Sequence, residues 1–265
     1  MRTDKGRSRG TLAVVPARLE STRLPRKMLL SLTGRPLVVH TVEAVVASGV
    51  FDSVVVATDS REIADAVREA GYEAAMTGPA SSGTDRIAAV VRAMPPAERP
   101  EIVVNVQGDE PEIEPSALAA VVDAIASTPA AEMATLSTPL TDAAAVEDPA
   151  CVKVVTAADG RALYFSRAPI PFVRDAAART DFAPATPWAL HIGTYAYRTE
   201  FLLRFAEMPP SRLERLEGLE QLRALEAGAT IAVASVGHAA VGIDTAEDYA
   251  RFVARHAEAR GVRAA

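Results

Sequence analysis

The sequence predicts an α/β fold, a mostly parallel central sheet with helices on both faces, and three observations carry that expectation. Short valine-rich apolar runs alternate with helix-like stretches through the first half, glycines stand where those helices should stop, and charged residues fall directly after the apolar runs. Strands covered on both faces read as near-continuous apolar segments, and such segments occupy 12–15, 53–57 and 102–106. Helical spacing fills 37–47, 62–70 and 87–94; Pro36 precedes the first of these, and Gly49 and Gly71 follow the first two. From about Asp148 the pattern changes to closely spaced extended segments, 151–156, 161–165 and 191–197, separated by the proline-bearing stretch 169–187. This predicts a small antiparallel insertion at about 150–200 whose irregular part forms a pocket rim or a subunit contact. Helix, strand and helix then return at 213–226, 230–236 and 245–259. The expected organisation is a flexible tail, 1–10, and a single domain, 11–265. There is no internal repeat, and the alanine-rich patches 142–146 and 175–179 carry no recognisable low-complexity function.

Composition narrows the function. The chain has 265 residues, 49% of them hydrophobic, enough for a substantial core. A net charge of −6 provides no basic field, so no nucleic-acid partner is expected. Cys151 is the only cysteine, which excludes an internal disulfide and fits a reducing compartment. No stretch is apolar enough to span a bilayer, and 1–10 lacks the hydrophobic region of a secretion signal, so a cytoplasmic protein without membrane partners is expected. The signatures G-x-G-x-x-G, G-x-x-x-x-G-K-[ST] and G-x-S-x-G are missing, as is a zinc-type Cys/His set. Their absence argues against a nicotinamide-dependent oxidoreductase, a P-loop ATPase and a serine hydrolase.

The most informative segment is 14–27, where Arg18, Arg23 and Lys27 follow a buried strand at spacings of five and four. Guanidinium groups offer forked donors and an ammonium a compact charge, a set suited to a triphosphate. At about 4 Å and an effective dielectric of about 20, each cation–phosphate pair gains about 4 kcal/mol before desolvation. A solvated basic loop is the alternative. In 103–111, Asp109 stands just beyond a buried strand beside Gly108, where a carboxylate suits magnesium, a cation that needs only one or two carboxylates plus substrate phosphates. Asp244 is a second candidate, although Asp244 or Thr245 can equally cap the next helix with Glu247 or Asp248 in its first turn. Arg18, Asp59 and Asp109 all fall after predicted strands, where α/β folds place their crevice.

The run 81–86 opens a helix and presents amide donors to a base or phosphate, though capping by Ser82 or Thr84 explains it as well, with Asp85 and Arg86 paired to each other or to solvent. Arg167 lies between an extended segment and a proline-stiffened turn, a plausible clamp for an acidic substrate. Strand alternation places His191, Gly193, Tyr195 and Tyr197 on one side, lining either a hydroxyl-rich pocket or a packed aromatic face. Leu213, Leu216, Leu219, Leu222 and Leu225 give a helix its apolar face, with Glu217, Glu220 and Gln221 on one flank, where solvation is the usual fate.

Taken in order, PARLESTRLPRK (16–27), VATD (56–59), SGTDR (82–86), VNVQGDEP (104–111), VKVV (152–155), ALYFSRAPIP (162–171), HIGTYAYR (191–198), LEGLEQLRALE (216–226) and VGIDTAED (241–248) resemble the 3-deoxy-D-manno-octulosonate (Kdo) cytidylyltransferases, the CMP-Kdo synthetases. The resemblance runs from about Thr11 to Val253. It implies a nucleotide-transferase fold of the Rossmann-like, nucleotide-diphospho-sugar transferase type, a homodimer, and transfer of CMP from CTP to the anomeric hydroxyl of Kdo with release of pyrophosphate. By position, it implies that Arg18, Arg23 and Lys27 hold the CTP phosphates, Ser82 and Gly83 lie near the nucleotide, and Asp109 and Asp244 ligate Mg2+. Gln107, Arg167, His191, Tyr195, Glu220 and Gln221 then line the sugar-acid pocket, and Lys27, Arg18, Asp109 and Asp244 carry catalysis. The chain departs from the family at Ala80, where a histidine is usual, and at 174–187, which do not align clearly. A cytidylyltransferase for another acid, such as a nonulosonic acid, and a non-catalytic CTP-binding module are the competing readings.

Overall fold

Strand β1 (Thr11–Ala17) buries Leu12, Ala13, Val14 and Val15 almost completely, as a strand covered on both faces must. The computed structural model describes residues 10–174, 186–259 and 261, so the expected tail up to position 9 and 175–185 of the expected rim lie outside the described residues. After β1 come α1 (Leu37–Ala47), β2 (Ser53–Thr58), α2 (Arg61–Glu69), β3 (Ala74–Met76), α3 (Gly83–Ala93), β4 (Ile102–Asn105), α4 (Pro115–Ser127) and β5 (Met133–Pro139). The chain continues through α5 (Ala143–Glu147), β6 (Lys153–Thr156), β7 (Ala162–Ser166), β8 (Ala189–Arg198), α6 (Thr199–Phe205), α7 (Arg212–Glu217), α8 (Gln221–Glu226), β9 (Ile231–Ser235) and α9 (Ala246–Ala259). Two compact units result, one formed by the chain through Leu118 and again from Ala240, the other by 119–239.

In the first unit β1 pairs in parallel with β2 and β4, and β2 pairs in parallel with β3, giving the order β3-β2-β1-β4. The expected helices form where glycine can end them: Gly49 and Gly71 adopt φ of 67° and 87°, in the left-handed region that a side chain disfavours. Leu37 of α1 packs with Ile243, Tyr249 and Phe252 in a buried cluster that Leu24 and Leu30 join. That cluster fixes both the cationic loop after β1 and the approach to α9, and Leu32 N–H donates to Tyr249 Oη at 2.8 Å.

In the second unit β5 pairs in parallel with β9 and antiparallel with β8, and β6 pairs antiparallel with β7 and β8. The α/β class, mostly parallel with antiparallel strands added, is thus the observed one. Several elements had no clear sequence signal. Strand β5 reads poorly because Thr135, Ser137 and Thr138 are buried polar residues in it. Helix α5 grows from an alanine-rich patch because Asp142 caps it, its side chain accepting from Ala144 N–H at 3.0 Å.

The expected single helix over 213–226 is instead two, α7 and α8. Gly218 breaks it with a left-handed φ of 63°, and a Ser211–Glu214 capping box defines the start of α7. The break rotates the leucine face. Leu219 and Leu222 are buried, whereas Leu216 is 68% exposed.

Candidate active site

Arg18, Arg23, Lys27, Ser82, Gly83, Gln107, Asp109 and Asp244, which the sequence nominates from four separate segments, all line one cavity of about 530 Å³ in the first unit. Its walls follow the carboxyl ends of β1, β3 and β4, where parallel sheets leave a crevice. Asp59 follows β2 but is absent from the lining; it reaches the site through Arg86.

Gly108 makes the floor possible. A Cβ there would stand 2.9 Å from the Pro16 carbonyl oxygen and 3.3 Å from Met28 Cε, so no side chain fits without displacing backbone. Thr41 Oγ1 donates to the Gly108 carbonyl at 2.8 Å, and Ile243 N–H donates to the Asp109 carbonyl at 2.9 Å. These bonds fix the backbone on both sides of the Asp109 side chain and bring Asp244 alongside it.

The two sequence readings of Asp244 separate in the structure. Thr245 Oγ1 accepts from Asp248 N–H at 3.1 Å, and the Asp248 carboxylate accepts from Thr245 N–H at 2.9 Å, so this reciprocal pair caps α9. The Thr245 hydroxyl, then the amides of Thr245 and Asp244, hold the Asp248 pKa down at about 2. The Asp244 carboxylate faces cations instead: Oδ1 lies 3.0 Å from Lys27 Nζ, and Oδ2 lies 3.0 Å from an Arg23 guanidinium nitrogen.

Lys27, on a short 3-10 turn (Lys27–Leu29) and only 9% exposed, sits between the two aspartates. Its ammonium donates to Asp109 Oδ2 at 2.5 Å, Asp244 Oδ1 at 3.0 Å and the Ile243 carbonyl at 3.1 Å. Burial disfavours the charged lysine, but Asp109 and Asp244 outweigh it, and the Lys27 pKa is raised. The sequence reading gave the lysine to phosphate and the carboxylates to metal; the geometry joins all three.

The fit to magnesium can be judged from the donors. The Asp109 and Asp244 carboxylates, both hard-oxygen donors, converge on the Lys27 ammonium in a polar cavity, and no cluster of three or more His, Cys, Asp or Glu side chains suited to a metal forms among the described residues. The remaining ligands must then be water and substrate oxygens, the usual arrangement for Mg2+, so the residues fit that ion.

Ser82 caps α3, its Oγ accepting from Asp85 N–H at 3.1 Å, while Gly83 packs against Pro16. Arg86 pairs with neither Asp85 nor solvent. It is buried, lines the cavity, and donates to Asp59 Oδ2 at 2.8 Å and Thr77 Oγ1 at 2.7 Å, tying the segments after β2 and β3 to the start of α3. Sequence offered only one signal for this, an arginine inside the apolar spacing of a helix.

In the second unit, Arg167, His191, Tyr195, Glu220 and Gln221 gather around β7, β8 and the break between α7 and α8. The His191 ring lies 5.0 Å from Phe165 and 5.4 Å from Tyr195, centroid to centroid, and Nε2 contacts Thr135 Oγ1 at 3.0 Å. Burial pushes the His191 pKa down to about 3 and the Tyr195 pKa well up, the latter with help from Tyr197 and Glu220, so both rings are neutral at physiological pH. Tyr197 is packed away against Phe205.

The acidic flank expected to be solvated is engaged. Glu217 accepts from Ser166 Oγ at 2.7 Å and Arg167 N–H at 3.0 Å, Glu220 pairs with Arg223 at 2.9 Å, and Gln221 is buried with its Nε2 lacking a hydrogen-bond partner among the described residues. The Arg167 guanidinium is held by backbone carbonyls: Nε donates to Glu217 O at 2.6 Å and Nη1 to Pro149 O at 2.8 Å. Gly218 O accepts from Nη2 at 3.4 Å.

A family model described as cytidylyltransferase matches residues 12–231. The chain is 50% identical over 243 residues to the 3-deoxy-manno-octulosonate cytidylyltransferase of Anaeromyxobacter dehalogenans (strain 2CP-C), covering 92% of this chain and 96% of that one. It is 48% identical over 247 residues to the protein of the same name from Rhodopirellula baltica, covering 92% and 97%. A solved CMP:2-keto-3-deoxy-manno-octonic acid synthetase, complexed with CTP, matches with a TM-score of 0.85 at 36% identity over 94% of this chain and 99% of that one. Likeness to 4-diphosphocytidyl-2C-methyl-D-erythritol synthase from Anaerococcus prevotii, at a TM-score of 0.60 and 12% identity, is one of fold alone. A polar cavity at the strand ends, with two carboxylates and four cations in it, and relatives matched over nearly their whole length lead to one conclusion: this chain is an enzyme of the cytidylyltransferase family and belongs to its 3-deoxy-manno-octulosonate cytidylyltransferases.

Proposed function

We propose that this enzyme transfers CMP from CTP to the anomeric hydroxyl of Kdo, giving CMP-Kdo and pyrophosphate. The observation that carries the proposal is the Lys27 ammonium bridging Asp109 and Asp244 in a cavity that Arg18 and Arg23 also line. Arg18 and Arg23 are exposed and line the cavity, which supports a role in which their forked donors meet the phosphates of an incoming nucleotide and offset charge that builds on departing pyrophosphate. Lys27 is held by its carboxylates in one position, so it stabilises negative charge near the α-phosphate without reorganising. Ser82 and Gly83 contribute the wall against which the nucleotide lies.

The reaction balances as an in-line displacement: the acceptor hydroxyl oxygen bonds to the α-phosphorus, the bond to the pyrophosphate oxygen breaks, and the hydroxyl proton passes to solvent. Catalysis is then mainly positioning and charge neutralisation, with no covalent enzyme intermediate. Asp109 and Asp244 would hold Mg2+, which supplies charge neutralisation at phosphate oxygens and lowers the pKa of a coordinated hydroxyl. On the acceptor side, Arg167 provides a cation for the sugar carboxylate, while neutral His191 and Tyr195, with Glu220 and Gln221, offer hydrogen-bonding groups to its hydroxyls; Gln107 belongs to the same reading.

A cytoplasmic homodimer serving lipopolysaccharide synthesis is the setting we infer. Exposed Leu163 and Phe172 in the second unit support a self-association face. The test is incubation with CTP, Mg2+ and Kdo, with pyrophosphate release and mass detection of the nucleotide sugar as readouts. Formation of CMP-Kdo is expected. Binding of CTP without pyrophosphate release for any sugar acid, or turnover confined to a different acid, overturns the reading.

A further inference from the structure

Lys153 is the largest anomaly outside the cavity. It opens β6, is 0% exposed, and forms no ion pair among the described residues. Its ammonium donates to two backbone carbonyls, Arg167 O at 2.7 Å and Asp148 O at 3.0 Å. An ammonium removed from water at this depth is costly unless well bonded, and an apolar side chain of similar length would satisfy the strand at lower cost. Burial lowers the Lys153 pKa, although Cys151, Asp148 and Glu147 oppose that shift.

What the charge does follows from register. Lys153 pairs with Ser166 on β7 and with Leu190 on β8, so it stands between the residues that immediately precede Arg167 and His191. The Arg167 backbone is gripped from both sides by opposite charges: its carbonyl accepts from Lys153 Nζ, and its N–H donates to the Glu217 carboxylate at 3.0 Å. Glu217 also accepts from Ser166 Oγ, which in turn accepts from Ala168 N–H at 3.0 Å. The interior cation and the half-buried anion therefore meet through one peptide segment rather than directly. Charge-assisted bonds at both ends leave that segment little freedom, and the Arg167 side chain starts from a fixed base.

We infer that Lys153 and Glu217 are positioning residues for the acceptor subsite, holding the Arg167 backbone so that its guanidinium meets the carboxylate of an acidic sugar in one orientation. The inference rests on the reading of Arg167 given above. A merely structural pin for the β6–β7–β8 junction would affect stability and both substrates alike; a positioning role affects the acceptor alone.

The experiment uses the whole 265-residue chain with Lys153→Met, which keeps length and removes charge, and Glu217→Gln, which keeps shape and removes charge. KM for Kdo and KM for CTP are measured separately by pyrophosphate release, and CTP binding by calorimetry reports whether each variant is folded. The expected result is a rise of about tenfold or more in KM for Kdo, the loss expected for one charge-assisted hydrogen bond, with CTP affinity within about twofold of the unmodified chain. Equal losses toward both substrates, or an unchanged KM for Kdo in a folded variant, overturn the inference. If Lys153→Met does not fold, Glu217→Gln decides by the same criteria. Failure of the unmodified chain to turn over Kdo at all rejects instead the functional reading on which the inference stands, a result distinct from a variant-specific loss.

Discussion

The backbone N–H of Ile243 donates to the carbonyl of Asp109 at 2.9 Å, and through this bond a segment near the C-terminus is carried to the end of a central strand. Asp244 follows directly, so two carboxylates far apart in the chain come to share the Lys27 ammonium.

Asp109→Asn removes one of two carboxylates on Lys27 and, on the proposed reading, one of the two side chains that would hold Mg2+. Turnover should fall by at least about two orders of magnitude, the scale of losing a key electrostatic group, with CTP still bound. Steady-state pyrophosphate release and calorimetry check this; near-normal turnover rejects the role of Asp109.

Lys27 and Asp109 act as one unit, so their effects should not add. Lys27→Met and Asp109→Asn are each expected to be severe, and the double variant no worse than the more affected single one by more than a few-fold. A multiplicative loss across the double-mutant cycle contradicts coupling. Chelation of Mg2+ should abolish turnover in the unmodified chain, and added Mg2+ should restore it.

Gly108→Ala places a methyl group 2.9 Å from the Pro16 carbonyl oxygen. Overpacking of this kind costs about 1–3 kcal/mol, and here it also displaces Asp109. A lower melting temperature together with a lower kcat is expected; a variant as stable and active as the parent shows that the floor yields freely.

Thr245→Ala deletes the hydroxyl that caps α9. The expected loss is about 1 kcal/mol of stability. The Asp248 carboxylate also loses its largest support, the Thr245 hydroxyl, so its pKa should rise from about 2 toward the ordinary aspartate range. In the unmodified chain this depressed carboxylate contributes stability that is present above its unfolded pKa and lost as pH falls through about 2. NMR titration of Asp248 and denaturation at low pH follow both effects.

His191 gives a second, higher window. Its pKa in the folded chain, about 3, lies below the unfolded value of 6.5, so between these pH values the unfolded chain binds a proton that the folded chain does not. Stability is therefore complete above about pH 6.5 and declines as the solution is acidified toward pH 3. His191→Asn should flatten that decline in denaturant melts run across the range; an unaltered slope shows that the ring does not titrate as a buried neutral group.

Much of the architecture was legible because it rests on local patterning. Apolar runs such as 12–15 dictate buried strands, and glycines at positions 49 and 71 supply the left-handed turns that end α1 and α2. The motifs around Lys27, Asp109 and Asp244 likewise named residues that meet in one cavity, because loops beyond the carboxyl ends of parallel strands open onto a common crevice. Sequence failed where polar residues were buried or where one residue broke a period. Strand β5 carries Thr135, Ser137 and Thr138 inside the unit, and Gly218 splits a continuous leucine pattern into α7 and α8.

By itself, then, the sequence determined the class of fold, the family and the cast of charged residues. Only the tertiary structure decided which charges meet. Thr245 and Asp248 take the capping that Asp244 was equally able to provide, Lys27 stands between the carboxylates rather than apart from them, Arg86 turns to Asp59, and Lys153 reaches the Arg167 carbonyl. The physical reason is that hydrogen-bond and ion-pair partners are selected within about 3 Å of space, and separation along the chain carries almost no information on that scale until the strands and loops are packed.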